Sequence, residues 1–236
     1  MSVRHSRAIF KKQVLDTIKN SSVLLQFVLF PILAFILTTT IAASNENLPS
    51  DYFIKMFSSM YIGMSPAVAI GGIIAEEKEK GCLRSLFMNN VKPTEYLLGV
   101  ASYVFLMCCL GVVILALASN YDSKQLLTYF IIMILGIICS LLLGATIGIT
   151  SSNQMAAHST IIPITMVIAF LPLISLFNEK FQSVSKYLYS QQASDMMEHL
   201  DIHAIHSDQI LIFGVNILIL LLCFIYFYRK KGTYSF

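Results

Sequence analysis

The sequence EEKEKGCLR occupies residues 76–84, between two long apolar segments. Six of these nine residues are ionisable, in a chain in which only 12% of residues are charged. A charge near the middle of a membrane-spanning helix costs about 2.5–3.5 kcal/mol, so we expect this charged segment to lie in water between two spans. Its length and charge also suggest that another molecule docks on it.

The composition places the chain in a membrane. Its mean hydropathy is +0.73 and 56% of its residues are hydrophobic. Apolar stretches of about 20 residues recur, the length that crosses a hydrocarbon core of about 30 Å as a helix. The net charge of +3 gives no sign of nucleic-acid binding. No two of the five cysteines lie in an evident loop, so structural disulfides are not expected.

Hydropathy predicts an all-α integral membrane protein with six transmembrane helices. The spans cover residues 23–43, 53–75, 96–119, 125–149, 159–177 and 209–228. The fifth contains Pro163 and Pro172. Because proline removes a backbone donor and clashes with the preceding turn, we expect this span to be broken.

Lysines and arginines are divided unequally between the two sides of this arrangement. One side receives Arg4, Arg7, Lys11, Lys12, Lys19, Lys78, Lys80, Arg84, Lys92, Arg229, Lys230 and Lys231. The other side receives Lys55, Lys124, Lys180 and Lys186. Since basic loops stay in the cytoplasm, we predict a multi-pass protein of the plasma membrane with both termini and the charged segment cytoplasmic.

Residues 1–22 have the pattern of a cytoplasmic amphipathic helix. Apolar residues recur at helical spacing, with lysines between them: Ile9, Phe10, Val14, Leu15 and Ile18. We expect this helix to lie in the headgroup plane with its cations toward anionic lipid. The alternative is a simple basic flank of the first span.

Residues 178–208 form the largest segment predicted outside the membrane on the opposite side. They are too apolar for a free loop and too polar for a span, so we expect one or two short interfacial helices with tyrosines at headgroup level. Asp195, His199 and His203 stand at i,i+4 spacing, which on a helix gives one face able to hold Zn²⁺. The alternative is the polar face of an external helix.

The sequence lacks the motifs that several catalytic and transport mechanisms require. It contains no phosphate-binding loop of the form G-x-x-x-x-G-K-[ST], so the chain is not expected to bind ATP or to be an enzyme by itself. The predicted spans hold almost no ionisable residues, which argues against a proton-coupled carrier. His158 stands at the edge of the fifth span and fits an interfacial residue near the cytoplasm. The energy for any transport is therefore expected from elsewhere.

The charged segment itself fits a short helix. Glu76 and Lys80 are spaced i,i+4 in the favourable order. Apolar residues can line one face: Leu83, Leu86, Phe87 and Val91. Gly81 weakens the helix and favours either a bend or the close approach of another chain, and Pro93 suits the start of the next span. Spacing alone leaves open a docking helix or a solvated hairpin that only fixes topology.

Residues 74–86, IAEEKEKGCLRSL, and 91–99, VKPTEYLLG, resemble the permeases of type-2 ABC exporters. The typical pattern of that family, EEKERGTLE followed by PV and LLGK, falls between the second and third of six spans. The departures are Cys82, where threonine is usual, and Arg84, where an acidic residue is common.

The resemblance implies that residues 76–92 form a coupling helix that seats on a separate ATPase. The implied contact residues are Glu76, Glu77, Lys78, Glu79, Lys80, Gly81, Cys82, Leu83, Arg84 and Leu86. Two ATPase subunits would bind ATP and Mg²⁺, and a second permease chain, identical or a sister, would complete the complex. The chain itself would bind no cofactor.

The expected activity is ATP-driven export of an amphipathic or hydrophobic substrate, such as an antimicrobial peptide, a drug or a lipid-like molecule. A non-transporting scaffold or sensor that recruits an ATPase is the alternative, and a secondary carrier is less favoured. We expect a single transmembrane domain over residues 1–236. Its parts are 1–22, spans one and two (23–75), the coupling helix (76–92), spans three and four (93–149), the broken fifth span (158–177), the external segment (178–208), the sixth span (209–228) and a cytoplasmic tail (229–236).

Small and polar residues within the spans have two interpretations. Gly63, Pro66, Gly71 and Gly72 lie in the second span and Asn216 in the sixth. They fit either close helix packing or a substrate pathway. For Asn216, an interhelical hydrogen bond is favoured over substrate contact.

Overall fold

The computed structural model describes residues 3–19, 21–44, 48–200 and 207–231, which form ten α-helices and no strand. The helices are α1 (Val3–Lys19), α2 (Ser21–Thr40), α3 (Tyr52–Glu79), α4 (Cys82–Met88), α5 (Pro93–Leu117), α6 (Ser123–Thr150), α7 (Gln154–Ser175), α8 (Glu179–Ser185), α9 (Tyr189–Glu198) and α10 (Ser207–Lys231). A 3-10 turn, Ala42–Ser44, follows α2. The prediction of an all-helical protein is confirmed.

Five of these helices, α3, α5, α6, α7 and α10, are long and apolar enough to cross a membrane. The apolar part of α2, Leu24–Thr40, is shorter. The prediction of several membrane-spanning helices is therefore confirmed, while the predicted first span corresponds to this shorter helix.

Helix α3 is the centre of the bundle. The protein buries 89% of the apolar segment of α3. It buries only 6% of the apolar segment of α10, which lies at the periphery. Small residues let α3 and α6 come into backbone contact, because a Cβ placed on Gly144 would lie 2.2 Å from the carbonyl oxygen of Ala67. A Cβ on Gly148 would likewise lie 2.8 Å from the carbonyl oxygen of Gly71.

Helix α7 continues through both Pro163 and Pro172, so the fifth span has no early stop at either proline. Pro172 has no N–H for the carbonyl of Ile168, one turn earlier. The hydroxyl of Ser190, on α9, donates to that carbonyl oxygen at 2.7 Å. An unsatisfied carbonyl is costly in a membrane, so this bond from a neighbouring helix supports the uninterrupted course of α7.

The proline of α3 has the same kind of support. Pro66 frees the carbonyl of Ile62, and Ser140 on α6 donates its hydroxyl hydrogen to that oxygen. Ser140 then has no proton left, so Tyr189 donates to the Ser140 oxygen at 2.7 Å. Tyr189 is only 2% exposed, so this bond lies inside the bundle.

The segment predicted as external contains two short helices, α8 and α9, where the sequence predicts one or two. Helix α9 packs among α3, α6 and α7. Its buried face consists of Tyr189, Ser190, Gln191, Gln192, Ala193, Met196 and Met197. This amphipathic helix is thus part of the protein core.

Ser190→Ala should lower the free energy of unfolding by about 1 kcal/mol, because it leaves the Ile168 carbonyl without a donor. Adding Pro172→Ala supplies the missing N–H, so the double variant should recover the loss. Thermal unfolding in detergent measures both, with Ser102→Ala, whose hydroxyl bonds within its own helix, as the control. A double variant as unstable as the single one would contradict this role of Ser190.

Candidate functional site

The charged segment is divided between the end of α3 and the start of α4. Helix α3 continues through Glu76 to Glu79, and the chain turns at Gly81, whose φ of +68° lies in the left-handed region. A residue with a Cβ is strained in that region, which explains glycine at this turn. We call residues 76–80 and the helix ends that they contact the charged junction.

Glu77 connects the junction to α1. Its Oε1 accepts hydrogen bonds from Lys12 Nζ and from Gln13 Nε2, the latter at 2.7 Å. Burial lowers the pKa of Lys12, but the hydrogen bond and the charge of Glu77 outweigh burial and raise that pKa above its ordinary value. Glu77 is only 6% exposed. It therefore binds a helix of its own chain, and its carboxylate is not open to a partner.

Lys78 and Glu79 connect the junction to two further helices. Lys78 Nζ donates to the carbonyl of Ile149 at 3.0 Å, at the C-terminal end of α6. Glu79 Oε2 accepts from the backbone N–H of Gln154 at 2.9 Å, at the first residue of α7. The positive charge of Lys78 meets the partly negative C-terminal end of α6, and the negative charge of Glu79 meets the partly positive N-terminal end of α7. Both interactions are attractive.

The residues predicted to couple to an ATPase make different contacts within the chain. Glu76 pairs with Lys80 on the surface, as their spacing predicts. Glu77, Lys78 and Glu79 tie the end of α3 to α1, α6 and α7. The end of α3 and its three neighbours are thus mechanically connected.

Helix α4 has one face toward the bundle and one toward solvent. Leu83 is 1% exposed and packs in the hydrophobic core with the partly buried Leu86 and Phe87. Arg84 and Met88 lie on the open face, where Met88 is 77% exposed. Cys82 is partly buried. The apolar spacing of the sequence thus predicts the inner face of α4 correctly. The sequence analysis did not identify Met88 as part of the open face, although it follows Arg84 by one helical turn.

Helix α1 is amphipathic, but its buried stripe is more polar than predicted. Ile9, Gln13 and Thr17, each one turn apart, are all 5% exposed. Leu15, expected on the apolar face, is largely exposed. Gln13 and Thr17 can be buried because they form hydrogen bonds with Glu77 and Tyr103.

The beginning of α1 is fixed to the beginning of α5. His5 Nδ1 lies 2.8 Å from Glu95 Oε2, and the hydroxyl of Ser6 donates to the Glu95 carbonyl at 3.0 Å. Glu95 also accepts from the backbone N–H of Lys92, capping α5 at Pro93. Sequence patterns within the helices gave no signal for these contacts, since the partners lie far apart in the chain.

Lys12→Met should lower the free energy of unfolding by about 1–2 kcal/mol. The buried carboxylate of Glu77 then lacks its cationic partner, and the half-exposed position of Lys12 reduces the effect through solvent screening. Adding Glu77→Gln removes the unpaired charge and should restore most of the stability. Lys80→Met, in the exposed pair with Glu76, serves as the control and should leave the melting temperature unchanged. An equal loss in both lysine variants would contradict the anchoring role of Glu77.

The other predicted span residues lie at helix contacts. A Cβ on Gly71 would lie 2.8 Å from the carbonyl oxygen of Gly144, and one on Gly72 would lie 3.0 Å from the ring of His158. Pro66 is buried in α3. Asn216 donates from Nδ2 to the carbonyl of Tyr187 at 2.8 Å, which joins α10 to the segment before α9.

Of the three residues proposed for Zn²⁺, Asp195 and His199 lie in the described part of the chain, and they do not share one helix. Helix α9 ends at Glu198, and His199 has non-helical backbone angles, so Asp195 and His199 do not continue along one helix. His203 lies outside the described residues. The residues that the structure describes contain no group of three or more His, Cys, Asp or Glu side chains placed to hold a metal ion.

These observations define a multi-span helical membrane protein with a short helix, α4, exposed beside the end of its central helix. Residues 10–228 match the sequence profile described as ABC-2 family transporter protein. The chain therefore belongs to this family, and it is a permease of an ABC transporter. A comparison with curated proteins found no match.

Proposed function

We propose that this permease exports an amphipathic or hydrophobic substrate from the cell, with a separate ATPase docked on the open face of α4. The observation that carries this proposal is the two-faced structure of α4. Leu83, Leu86 and Phe87 fix the helix to the bundle, while Arg84 and Met88 remain available to a partner.

The contacts of the charged junction support a route for the coupled motion. A force on α4 acts on the end of α3 through the turn at Gly81. Glu77, Lys78 and Glu79 then connect α3 to α1, α6 and α7. A displacement of α4 by ATP binding in the partner would therefore act on several helices at once.

The proposed assembly contains two permease chains, identical or paired with a sister, and two ATPase subunits that bind ATP and Mg²⁺. Each permease has six spans, with α2 as the first, and both termini are cytoplasmic. The distribution of basic residues supports this orientation. The apolar spans support a hydrophobic or amphipathic cargo, since they offer few charges to an ionic one.

Co-expression with an ABC ATPase tests the proposal, and the first one to try is any that a neighbouring reading frame encodes. The two proteins should co-purify, and proteoliposomes should move a hydrophobic fluorescent dye only when ATP is hydrolysed. An ATPase variant that binds but does not hydrolyse ATP is the control. Stable binding without ATP-dependent movement of any candidate substrate would contradict export and favour a scaffold or sensor.

A further inference from the structure

Helices α3 and α7 enclose a cavity at the end of the bundle opposite the charged junction. The two helices touch at Gly63, where a Cβ would lie 2.8 Å from Ala169 Cα. Beyond this contact they leave a cavity of about 250 Å³, closed on its third side by α9. Its apolar lining includes Met56, Met60, Ala169, Pro172, Leu173 and Leu176.

A second cavity, of about 380 Å³, adjoins the first, and Leu176 and Glu198 line both. Its lining is polar and includes Ser175, Asn178, Gln182, Gln191 and Asp195. The first cavity is thus largely apolar, and the second presents oxygen atoms and carboxylates. A molecule with an apolar chain and a polar head has the matching shape and polarity.

The charges around the two cavities favour a cation. Lys55, at the mouth of the apolar cavity, is paired with Asp51 at 2.7 Å, one helical turn away. Asp195 and Glu198 form no ion pair with any residue in the described part of the chain. The amide of Gln191 donates to Asp195 at 2.7 Å and provides its hydrogen bond.

The environment of Asp195 suits a positively charged partner. Burial raises the pKa of this carboxyl, the hydrogen bond from Gln191 lowers it, and the nearby charge of Glu198 raises it further, with a net increase. A positive headgroup placed between the two carboxylates would relieve both the burial cost and the repulsion.

We propose that these two cavities form a binding site for a cationic amphiphile, whose apolar chain lies against Met56 and Leu173 and whose positive head lies at Asp195 and Glu198. The proposal deepens the proposed function, on which it rests for the view that the bound molecule is exported cargo. It narrows that cargo from amphipathic molecules in general to positively charged ones.

Tryptophan fluorescence tests this site directly, because the chain contains no native tryptophan. Leu176→Trp, at an exposed position shared by both cavities, gives a single reporter in nanodiscs of zwitterionic lipid. Octyltrimethylammonium should shift its emission saturably, and octyl sulfate should bind at least tenfold more weakly. Leu117→Trp, exposed at the end of α5, reports simple partition into the bilayer.

Asp195→Asn combined with Glu198→Gln should weaken octyltrimethylammonium at least tenfold in the Leu176→Trp background. Asp208→Asn, an exposed carboxylate on α10, should leave binding unchanged. Equal binding of the cation and the sulfate, or unchanged binding in the double variant, would overturn the proposal. So would a response no different from that of the Leu117 reporter. No ATPase takes part, so a failure here with intact ATP-driven dye export refutes the site alone.

Discussion

Gly144→Ala should lower the melting temperature of the permease by about 10 °C, the largest effect on stability that we expect from a single methyl group. The added Cβ would lie 2.2 Å from the carbonyl oxygen of Ala67, so the backbones of α3 and α6 must separate. Overpacking of this kind costs about 3 kcal/mol, which corresponds to such a shift in a chain of this size. Thermal unfolding followed by size-exclusion chromatography in detergent measures the change.

Gly214→Ala is the matched control for that experiment. Gly214 lies on α10, and a Cβ there would have no atom within 4 Å apart from its chain neighbours and the backbone of its own helix. Its replacement should keep or raise the melting temperature, since alanine favours a helix over glycine by up to about 1 kcal/mol. Similar effects from the two substitutions would show that α3 and α6 are not in the close contact described above.

Met88→Asp should weaken binding of the ATPase by about 30-fold or more, without unfolding the permease. Residues at the centre of an interface contribute about 2–4 kcal/mol, and each 1.4 kcal/mol changes affinity tenfold. Met88 is 77% exposed, so a carboxylate is tolerated there in the free protein but opposes an apolar contact. Titration of the purified ATPase onto permease in nanodiscs measures the loss.

Leu117→Asp provides the control for the docking experiment. Leu117 is 79% exposed, and it lies at the opposite end of α5 from the charged junction. The substitution should leave the affinity for the ATPase unchanged. Wild-type affinity in Met88→Asp would exclude the open face of α4 as the docking surface.

Local patterns in the sequence predicted the features that depend on neighbouring residues. The apolar spacing of Leu83, Leu86 and Phe87 gave the inner face of α4 because one helix repeats every 3.6 residues. The bend at Gly81 followed from the low helix propensity of glycine, and the structure shows that the bend uses a positive φ. The membrane class followed from hydropathy, which sums over whole spans.

Contacts between distant parts of the chain could not be predicted from the sequence. A run of charges after a span favours exposure, yet Glu77 is buried because Lys12 and Gln13 reach it from α1. Pro172 predicts a break in α7, and only the position of Ser190 on another helix reveals how its free carbonyl is satisfied. Pairings of this kind depend on the packed structure and leave no periodic signal.

Photocrosslinking from α4 tests the central claim most directly. A benzoylphenylalanine incorporated at Met88 should form an adduct with the co-expressed ATPase upon irradiation, whereas the same group at Leu117 should form none. Both positions are exposed, so accessibility alone does not distinguish them. Our account predicts an ATPase adduct from position 88 alone. An ATPase that co-purifies but crosslinks equally from both positions, or from neither, would contradict docking on α4.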